Sequence, residues 1–578
     1  MTRLWNEPAD FADEMVDGFA RANARWVRKV HGGVSRSTVA AEPEVAVVIG
    51  GGSGHYPAFA GLVGPGLAHG AAMGNLFASP SAHQVESVAR ASHRGRGVLL
   101  SYGNYAGDVL HFTEAQEALR ADGIECRTVT VTDDIFSASP HEAEKRRGIA
   151  GDLTVFKIAG AAASRGWSLD DVERVARRAN ARTRSMGVAF SGCTMPGAAE
   201  PLFSVPDGRM AIGLGIHGEP GLAETAIPTA DGLAELFLEH LLADAEVPVA
   251  DATGARVVPI LNGLGSVKSE ELFVVYRRVA ELSEARGITL VDPQVGEFCT
   301  SFDMAGVSLT FLWLDDELEE LWGAPADTPA FRTGAFDQSG LAPAHDAPHV
   351  DAEAAVRAIP AASTESRQAA RRIAGLLAAV RETIDAHADE LGRLDAIAGD
   401  GDHGIGMQRG ARAAAAEAAD LAARGAGART LLVGVGDAWA DRAGGTSGAL
   451  WGVILRTLGS RANDGESLTR ERVAAGLSEA AESVMAYGKA RVGDKTLVDA
   501  LVPFAATLAA GVADGEDLAT AWEAAAKAAT KAAQDTADLL PGMGRARSHG
   551  DKALGVPDPG AVSLALIATA VVELLAAD

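Results

Sequence analysis

The chain has 578 residues, 47% of them hydrophobic and only 5% aromatic, and Lys+Arg 51 against Asp+Glu 77 leave a net charge of −26. That length exceeds a single core and predicts about two to four domains. The acid excess without a visible basic face argues against a nucleic-acid binder, and no run of about 18 apolar residues is present to span a membrane.

The N-terminus carries Glu7 and Asp10 early and has no apolar h-region, so it does not read as a signal peptide. Cys126, Cys193 and Cys299 lie far apart with no C-x-x-C. They suggest reduced thiols and a cytoplasmic location, not a disulfide framework or a zinc site. An acidic enzyme that handles anionic nucleotides needs local cations, usually metal ions.

Residues 1–40 read as an amphipathic helix followed by a glycine loop. Glu44-Val-Ala-Val-Val-Ile49 is a continuous apolar run, as expected for a strand buried on both faces. It breaks into Gly50-Gly-Gly-Ser-Gly-His-Tyr-Pro57, and the carboxyl ends of strands are where open α/β sheets place ligands. Further strands are predicted at 97–101 and 126–131, with helices over 81–94 and 110–122 between them. This alternation predicts an α/β domain with a largely parallel sheet. A long helical stretch over 151–186 leads to a second α/β lobe that begins near Gly187. That lobe holds strands at 257–261 and 307–314. Residues 323–359, rich in Pro, Ala, Asp and Thr, read as a linker. After Ser363 alanine-rich helical patterns dominate, over 364–390, 407–424, 431–442, 447–458, 468–487, 495–510, 516–538 and 560–577. They predict a separate all-α domain of about eight helices. The boundaries expected are 1–323, with its two lobes split near 186, a linker over 324–360, and 361–578.

Ile212-Gly-Leu-Gly-Ile-His-Gly-Glu-Pro-Gly221 is half glycine and proline. Small neighbours would leave His217 accessible and let a ligand approach the backbone. Gly213 to Gly218 also matches G-x-G-x-x-G, but Glu219-Pro220-Gly221 follows as a turn where a dinucleotide site needs a helix. His55, Asp108 and His217 each sit on a glycine-rich loop. His with Asp could deprotonate an alcohol, and a second His could bind or attack a carbonyl. Each is also compatible with an ordinary loop or core role.

Asp395, Asp400 and Asp402 fall within eight residues and repel one another unless a cation lies between them. They suit an Mg²⁺–nucleotide site, or else a solvated acidic turn. An EF-hand fails, because Ile405 stands where glycine is needed and Ala411 where glutamate is needed. Gly444-Gly-Thr446-Ser447-Gly448 at a helix start suits a phosphate group, or is a plain capped terminus. No Walker A motif is present; Gly263 to Ser269 lacks the glycine before Lys268.

Together these motifs resemble the dihydroxyacetone kinases in their fused, ATP-dependent form. The resemblance covers nearly the whole chain. Gly50 to His55, Asn104 to Asp108, Gly215 to Gly221 and Asp303 to Thr310 look like the ketose-binding K domain. Leu394-Asp395, Gly399 to Gly404, Gly445 to Gly448, Gly493-Asp-Lys-Thr496 and Gly544-Arg545 through Asp558-Pro-Gly560 look like the nucleotide-binding L domain, a barrel of antiparallel helices.

The resemblance implies that His217 adds to the ketone carbon and holds the substrate as a hemiaminal, which selects ketones and aldehydes over glycerol. It implies Asp108 as base for the attacking hydroxyl, assisted by His55, and Gly52 and Ser53 as substrate contacts. Asp395, Asp400 and Asp402 would hold two Mg²⁺ ions bridging the ATP phosphates. His403, Thr446, Ser447, Gly493, Arg545, Asp558 and Gly560 would line the nucleotide. A homodimer in which the L domain caps the partner's K domain is also implied. One position departs from the family: Gly103 stands where lysine commonly contacts the substrate. Loss of that lysine widens the pocket, so a longer ketose such as four-carbon erythrulose is expected alongside dihydroxyacetone. Alternatives are a lyase side activity that forms cyclic FMN from FAD, and a non-catalytic ketose sensor.

Overall fold

The computed structural model describes residues 4–219, 221–243, 252–335, 341–343, 359–398, 401–543 and 553–576. It divides into two compact units, Met1–Ala354 and Ala355–Asp578.

The first unit opens with helix α1 (Phe11–Ala22) and short strands β1 (Val27–Val30), β2 (Gly33–Arg36) and β3 (Thr38–Ala40), where the sequence pattern predicts a glycine loop. Gly32 at φ 77° and Gly33 at φ 158° turn the chain between β1 and β2, so those glycines close a hairpin. Then follow β4 (Ala46–Ser53), β5 (Gly70–Leu76), α2 (Ala82–Ser92), β6 (Val98–Gly103), α3 (Ala106–Ala121) and β7 (Cys126–Val131). The sheet order is β1-β2-β5-β4-β6-β7, parallel from β5 through β7. Every residue of β4 is buried. Ala46 and Val48 face a core shared with α2 and α3, whereas Val47 and Ile49 face the opposite side. A strand covered on both faces has no polar side to show, which is why its sequence is apolar without alternation.

The helical stretch expected over 151–186 is two helices followed by the start of a strand: α4 (Gly151–Ser164), α5 (Leu169–Ala181) and β8 (Thr183–Ala189). Gly166, at φ 72°, breaks the first two. The strand carries Thr183, Arg184 and Ser185, yet all seven of its residues are buried. Its hydroxyls are satisfied inside, Thr183 with Thr154 and Ser185 with Thr310.

The second sheet adds β9 (Arg209–Ile212), β10 (Ala223–Ala226), α6 (Ala230–Ala243), β11 (Arg256–Gly263), α7 (Ser269–Ala285), β12 (Thr289–Leu290), β13 (Gln294–Gly296) and β14 (Gly306–Trp313). Its main path β10-β9-β8-β14-β11 is antiparallel, and only β12 and β13 pair in parallel with β11. A largely parallel sheet therefore describes the first lobe alone. Helix α4 packs against strands of both sheets, and 13 of its 14 residues are buried. The two lobes thus share one core around α4. Gly160 sits where α4 presses on the chain at Leu67; a Cβ there would lie 2.2 Å from the Leu67 carbonyl oxygen.

Helix α8 (Asp316–Trp322) and strands β15 (Ala326–Asp327), β16 (Arg332–Thr333) and β17 (Leu341–Pro343) follow. β17 pairs with β3, so part of the segment expected as linker belongs to the first unit.

The second unit consists, among the described residues, of eight helices: α9 (Thr364–Ala398), α10 (His403–Ala423), α11 (Ala428–Ala443), α12 (Gly445–Arg461), α13 (Arg470–Gly488), α14 (Leu497–Ala513), α15 (Leu518–Asp535) and α16 (Pro559–Ala576). Each packs on its successor, and α16 returns to α9, which closes the ring. Alanines such as Ala411, Ala414, Ala418, Ala525 and Ala529 fill the core and let the helices approach closely. In such a ring alternate helices begin at the same end.

Candidate functional site

In the first unit β4 and β6 run parallel and end side by side. Gly52 lets the end of β4 abut the next segment: a Cβ there would lie 2.8 Å from the Ala78 amide. The Ser53 hydroxyl donates to the Gly74 carbonyl at 2.6 Å, which anchors the turn. Gly54, at φ 103°, then turns the chain into His55 just past the carboxyl end of β4. Asp108 lies not in a loop but in the first turn of α3, where the helix N-terminus favours a carboxylate. It accepts a hydrogen bond of 2.8 Å from the Ser79 hydroxyl and is buried.

His55 and His217, from the two lobes, meet with Nε2 to Nε2 at 3.0 Å. Both are buried, at 2% and 7% exposure, so His217 is not left open by its glycines. His55 Nδ1 donates to the Thr300 carbonyl at 2.7 Å, and His217 Nδ1 faces a Glu219 carboxylate oxygen at 3.3 Å. Carbonyl and carboxylate oxygens only accept, so each Nδ1 carries a hydrogen. The Nε2–Nε2 bond then requires one further proton, shared by the pair. Aromatic rings fix the geometry. Phe77 stacks on His55 at 4.9 Å, and Tyr105 meets His217 edge-on at 4.6 Å.

Glycines around His217 make room for a charged group instead. A Cβ at Gly215 would lie 2.0 Å from Glu219 Oε2 and 2.5 Å from an Arg147 nitrogen. A Cβ at Gly218 would lie 2.3 Å from the Phe203 ring. Arg147 contacts Glu219 at 3.5 Å and donates to Asp134 at 3.0 Å. Burial raises Asp134, and the Arg147 charge opposes that rise. Glu219, Arg147, Asp134 and Tyr105 were not singled out as individual site residues by the motif reading. Glu219 and Tyr105 lie inside the motifs Gly215 to Gly221 and Asn104 to Asp108, Asp134 belongs to an acidic pair after β7, and Arg147 carries no sequence signal.

Gly103 ends β6, but the space beside it is not open. A Cβ there would lie 3.2 Å from the Tyr105 ring, whose hydroxyl is tied to the Gly148 carbonyl at 2.9 Å. The room left by the missing lysine is therefore shared with Tyr105, which corrects the picture of a simply widened pocket.

In the second unit the starts of α10, α12, α14 and α16 converge. Asp395, in the last turns of α9, accepts the His403 backbone N–H at 3.1 Å. His403 opens α10 and is buried, with its ring nitrogens on the Ser447 hydroxyl at 3.1 Å and the Ser563 hydroxyl at 3.0 Å. It thus ties the starts of α12 and α16 to α10. Thr446 and Ser447 lie in the first turn of α12, after the sharp turn at Gly444, φ 64°. Gly493, at φ 102°, donates its N–H to Asp499 at 2.6 Å. Asp558 caps α16 through the Ala561 N–H at 2.7 Å, and a Cβ on Gly560 would lie 3.0 Å from that carboxylate. Asp400 and Arg545 lie outside the described residues.

Lys495, beside Gly493, is a further organising residue that was not assigned individually. Its ammonium donates to the carbonyls of Thr536, Ala553 and Val556 at 2.7–2.9 Å. Burial pushes Asp402 up to about 7, helped by the neighbouring charge of Asp395. Burial likewise pushes Asp558 up to about 7, helped by Asp395 and Asp499. Buried carboxylates that repel one another, under helix N-termini with glycines and hydroxyls, suit a divalent cation with phosphate groups.

An α/β unit with a buried histidine pair, joined to a closed ring of eight helices among the described residues, defines a two-domain architecture. The Dak1 domain model matches residues 17–330, and the DAK2 domain model matches residues 397–573. An L-erythrulose kinase of Pectobacterium atrosepticum is 57% identical over 578 residues, covering 100% of this chain and 97% of that protein. A D-erythrulose kinase of Mycolicibacterium smegmatis is 51% identical over 580 residues, covering 99% and 98%. The crystal structure of the dihydroxyacetone kinase from C. freundii in complex with AMP-PNP and Mg²⁺ aligns with a TM-score of 0.52 at 30% identity, covering 99% of each chain. The chain belongs to the dihydroxyacetone kinase family, in the form that joins both domains in one polypeptide.

Proposed function

We propose that the protein transfers a phosphoryl group from ATP to a hydroxyl of a short-chain ketose, with erythrulose favoured over dihydroxyacetone. The observation that carries the reading is the buried His55–His217 pair, with His217 Nδ1 on Glu219 and Nε2 turned to His55 Nε2. His217 Nε2 adds to the ketone carbon and the substrate is held as a hemiaminal. Asp108 takes the proton of the attacking hydroxyl, and the Ser79 hydroxyl, donating to it at 2.8 Å, orients it. Erythrulose is favoured because relatives at 57% and 51% identity are erythrulose kinases of opposite enantiomers.

In the second unit Asp395, Asp402 and Asp558 would hold Mg²⁺ with Asp400, and Thr446, Ser447 and the helix starts would take the ATP phosphates. Bound Mg²⁺, which we take as two ions, supplies charge neutralisation for the transferring phosphoryl group. The chain's own part is chiefly positioning. The ketose and ATP sites must meet for transfer, which we assign to a homodimer whose helical unit caps the partner's ketose unit. Cytoplasmic residence accords with three buried thiols and with the lack, among the described residues, of a helix able to cross a membrane.

The test is a panel of dihydroxyacetone, D- and L-erythrulose, glyceraldehyde and glycerol with ATP, on wild type and His217→Ala. Turnover of erythrulose that is lost in His217→Ala, with no turnover of glycerol, is expected. Wild-type turnover by His217→Ala would remove the capture role. A dihydroxyacetone kcat/KM well above that of erythrulose would overturn the substrate assignment.

A further inference from the structure

Behind His217 stands a chain of charges that ketose capture leaves unassigned. Glu219 Oε1 faces His217 Nδ1 at 3.3 Å, and Oε2 accepts the His217 backbone N–H at 3.1 Å. Arg147 lies 3.5 Å from Glu219 Oε2 and donates to Asp134 at 3.0 Å and to the Gly213 carbonyl at 3.3 Å. The side chains of Glu219, Arg147 and Asp134 are 11%, 15% and 2% exposed, so water screens them little. Gly215 is the residue that leaves space for the carboxylate and the guanidinium.

We propose that Glu219, held by Arg147, is a positioning residue that sets His217 for ketose capture; the inference rests on the hemiaminal reading above. Glu219 grips both the ring and the backbone of His217, which fixes the rotation of the imidazole. A carboxylate accepts only, so Nδ1 keeps its hydrogen and Nε2 is the atom that can present a lone pair. On capture the Nε2–C bond forms and the C=O π pair moves to oxygen. That oxygen takes the proton shared with His55 and becomes a hydroxyl. The imidazole, substituted at Nε2 and still protonated at Nδ1, is now a cation, and its positive edge faces Glu219. Release reverses each step and returns the proton to the pair. Arg147 keeps Glu219 pointed at the ring, and Asp134 balances Arg147. The same logic holds where a carboxylate behind a reactive histidine sets tautomer and orientation.

The test follows the adduct and the tautomer directly. Wild type, Glu219→Ala, Glu219→Gln and His217→Ala are mixed with [2-¹³C]dihydroxyacetone and [2-¹³C]erythrulose without ATP. The carbonyl and hemiaminal carbons are read by ¹³C NMR. ¹⁵N-histidine spectra, with His217 assigned by its own variant, report which ring nitrogen carries hydrogen. Glu219→Ala is expected to lower adduct affinity about 10–100-fold, to raise the ketose KM more than it lowers kcat, and to leave the KM for ATP unchanged. It is also expected to shift His217 away from the Nδ1–H tautomer. Glu219→Gln keeps an acceptor oxygen without the charge, so it should restore the tautomer and recover adduct only in part. If Glu219→Ala does not fold, Glu219→Gln decides the matter: full wild-type adduct affinity in that variant overturns the proposal. So does a wild-type adduct and tautomer in a folded Glu219→Ala. Absence of any adduct in wild type overturns the capture reading itself, a different outcome.

Discussion

His55 and His217 oppose each other nitrogen to nitrogen at 3.0 Å, with their rings at 88°. One comes from the first lobe and the other from the second, so the shared core around α4 holds the pair together. Because both outer nitrogens donate to acceptor-only oxygens, the inner pair must share a proton, which the proposed capture step would use. Replacing His55 by Phe keeps a ring against Phe77 but removes the proton relay. Adduct formation with labelled ketose should slow by about 10²-fold or more, while ATP binding, measured by calorimetry, stays unchanged. An adduct rate equal to wild type would mean the proton comes from elsewhere.

Gly215 has a Cβ position that falls 2.0 Å from Glu219 Oε2 and 2.5 Å from Arg147. Gly215→Ala cannot be accommodated unless that ion pair moves. The expected result is a ketose KM raised in parallel with that of Glu219→Ala and a first unit destabilised by about 1–3 kcal/mol in urea titration. Unchanged kinetics would show that the loop relaxes around the new methyl group.

Much of the first unit was legible because its central strands are buried on both faces. Val-Ala-Val-Val-Ile and Cys-Arg-Thr-Val-Thr-Val end in turns, and they form the strands β4 and β7. The first part of strand β8, up to Met186, reads as helix because Thr183, Arg184 and Ser185 hide an apolar pattern. Their polar groups are satisfied only by partners distant in sequence, such as Thr154 and Thr310. Antiparallel pairing in the second sheet was equally hidden, since it is a relation between segments. The eight helices of the second unit were plain from alanine-rich periodicity between glycine turns. His55, His217 and Asp108 stood out as reactive types on glycine-flanked segments. Arg147 did not, because its partners Glu219 and Asp134 assemble only in three dimensions.

Lys495 joins the start of α14 to the chain ahead of α16 through three carbonyls. Burial lowers its pKa, and the charge of Asp558 works against that fall. Lys495→Met leaves three buried acceptors without their donor. A loss of about 3 kcal/mol in the helical unit is expected, from its unfolding by urea. The ATP KM should rise while the ketose adduct is unaffected. A variant with wild-type stability and ATP KM would show that the loop is held by other contacts.

Mg²⁺ dependence should follow the carboxylates. Chelation with EDTA is expected to abolish phosphoryl transfer and leave adduct formation intact, because the residues proposed for metal and for ketose belong to different units. Asp402→Asn should weaken the Mg²⁺ dependence of ATP binding about tenfold or more, and thermal melts without metal should show it no less stable than wild type, since a buried repulsion is relieved. Loss of ketose adduct on chelation would contradict this division of labour.

His69 precedes β5, at the amino-terminal end of the parallel strands whose carboxyl end carries His55, and it is held neutral. Its Nδ1 accepts the Val47 N–H at 3.1 Å, and its Nε2–H donates to Glu44 at 2.8 Å. Burial lowers its pKa to about 4, and the Arg36 charge adds to this. Burial would raise Glu44, but the His69 hydrogen bond and Arg36 outweigh that and hold it at about 2. The folded pKa of His69 lies below its ordinary 6.5, so the unfolded chain binds more protons between those values. The contribution is present in full above pH 6.5 and is lost as pH falls through 4. Glu44 continues the loss below its ordinary 4.5 toward 2. Stability of the first unit should therefore fall with a His69 share of up to about 1.4 kcal/mol per pH unit across the upper window. His69→Gln, which cannot titrate, should be less stable at pH 7 and show a flatter curve between pH 6.5 and 4 by urea titration. A slope identical to wild type would place the acid sensitivity on other groups.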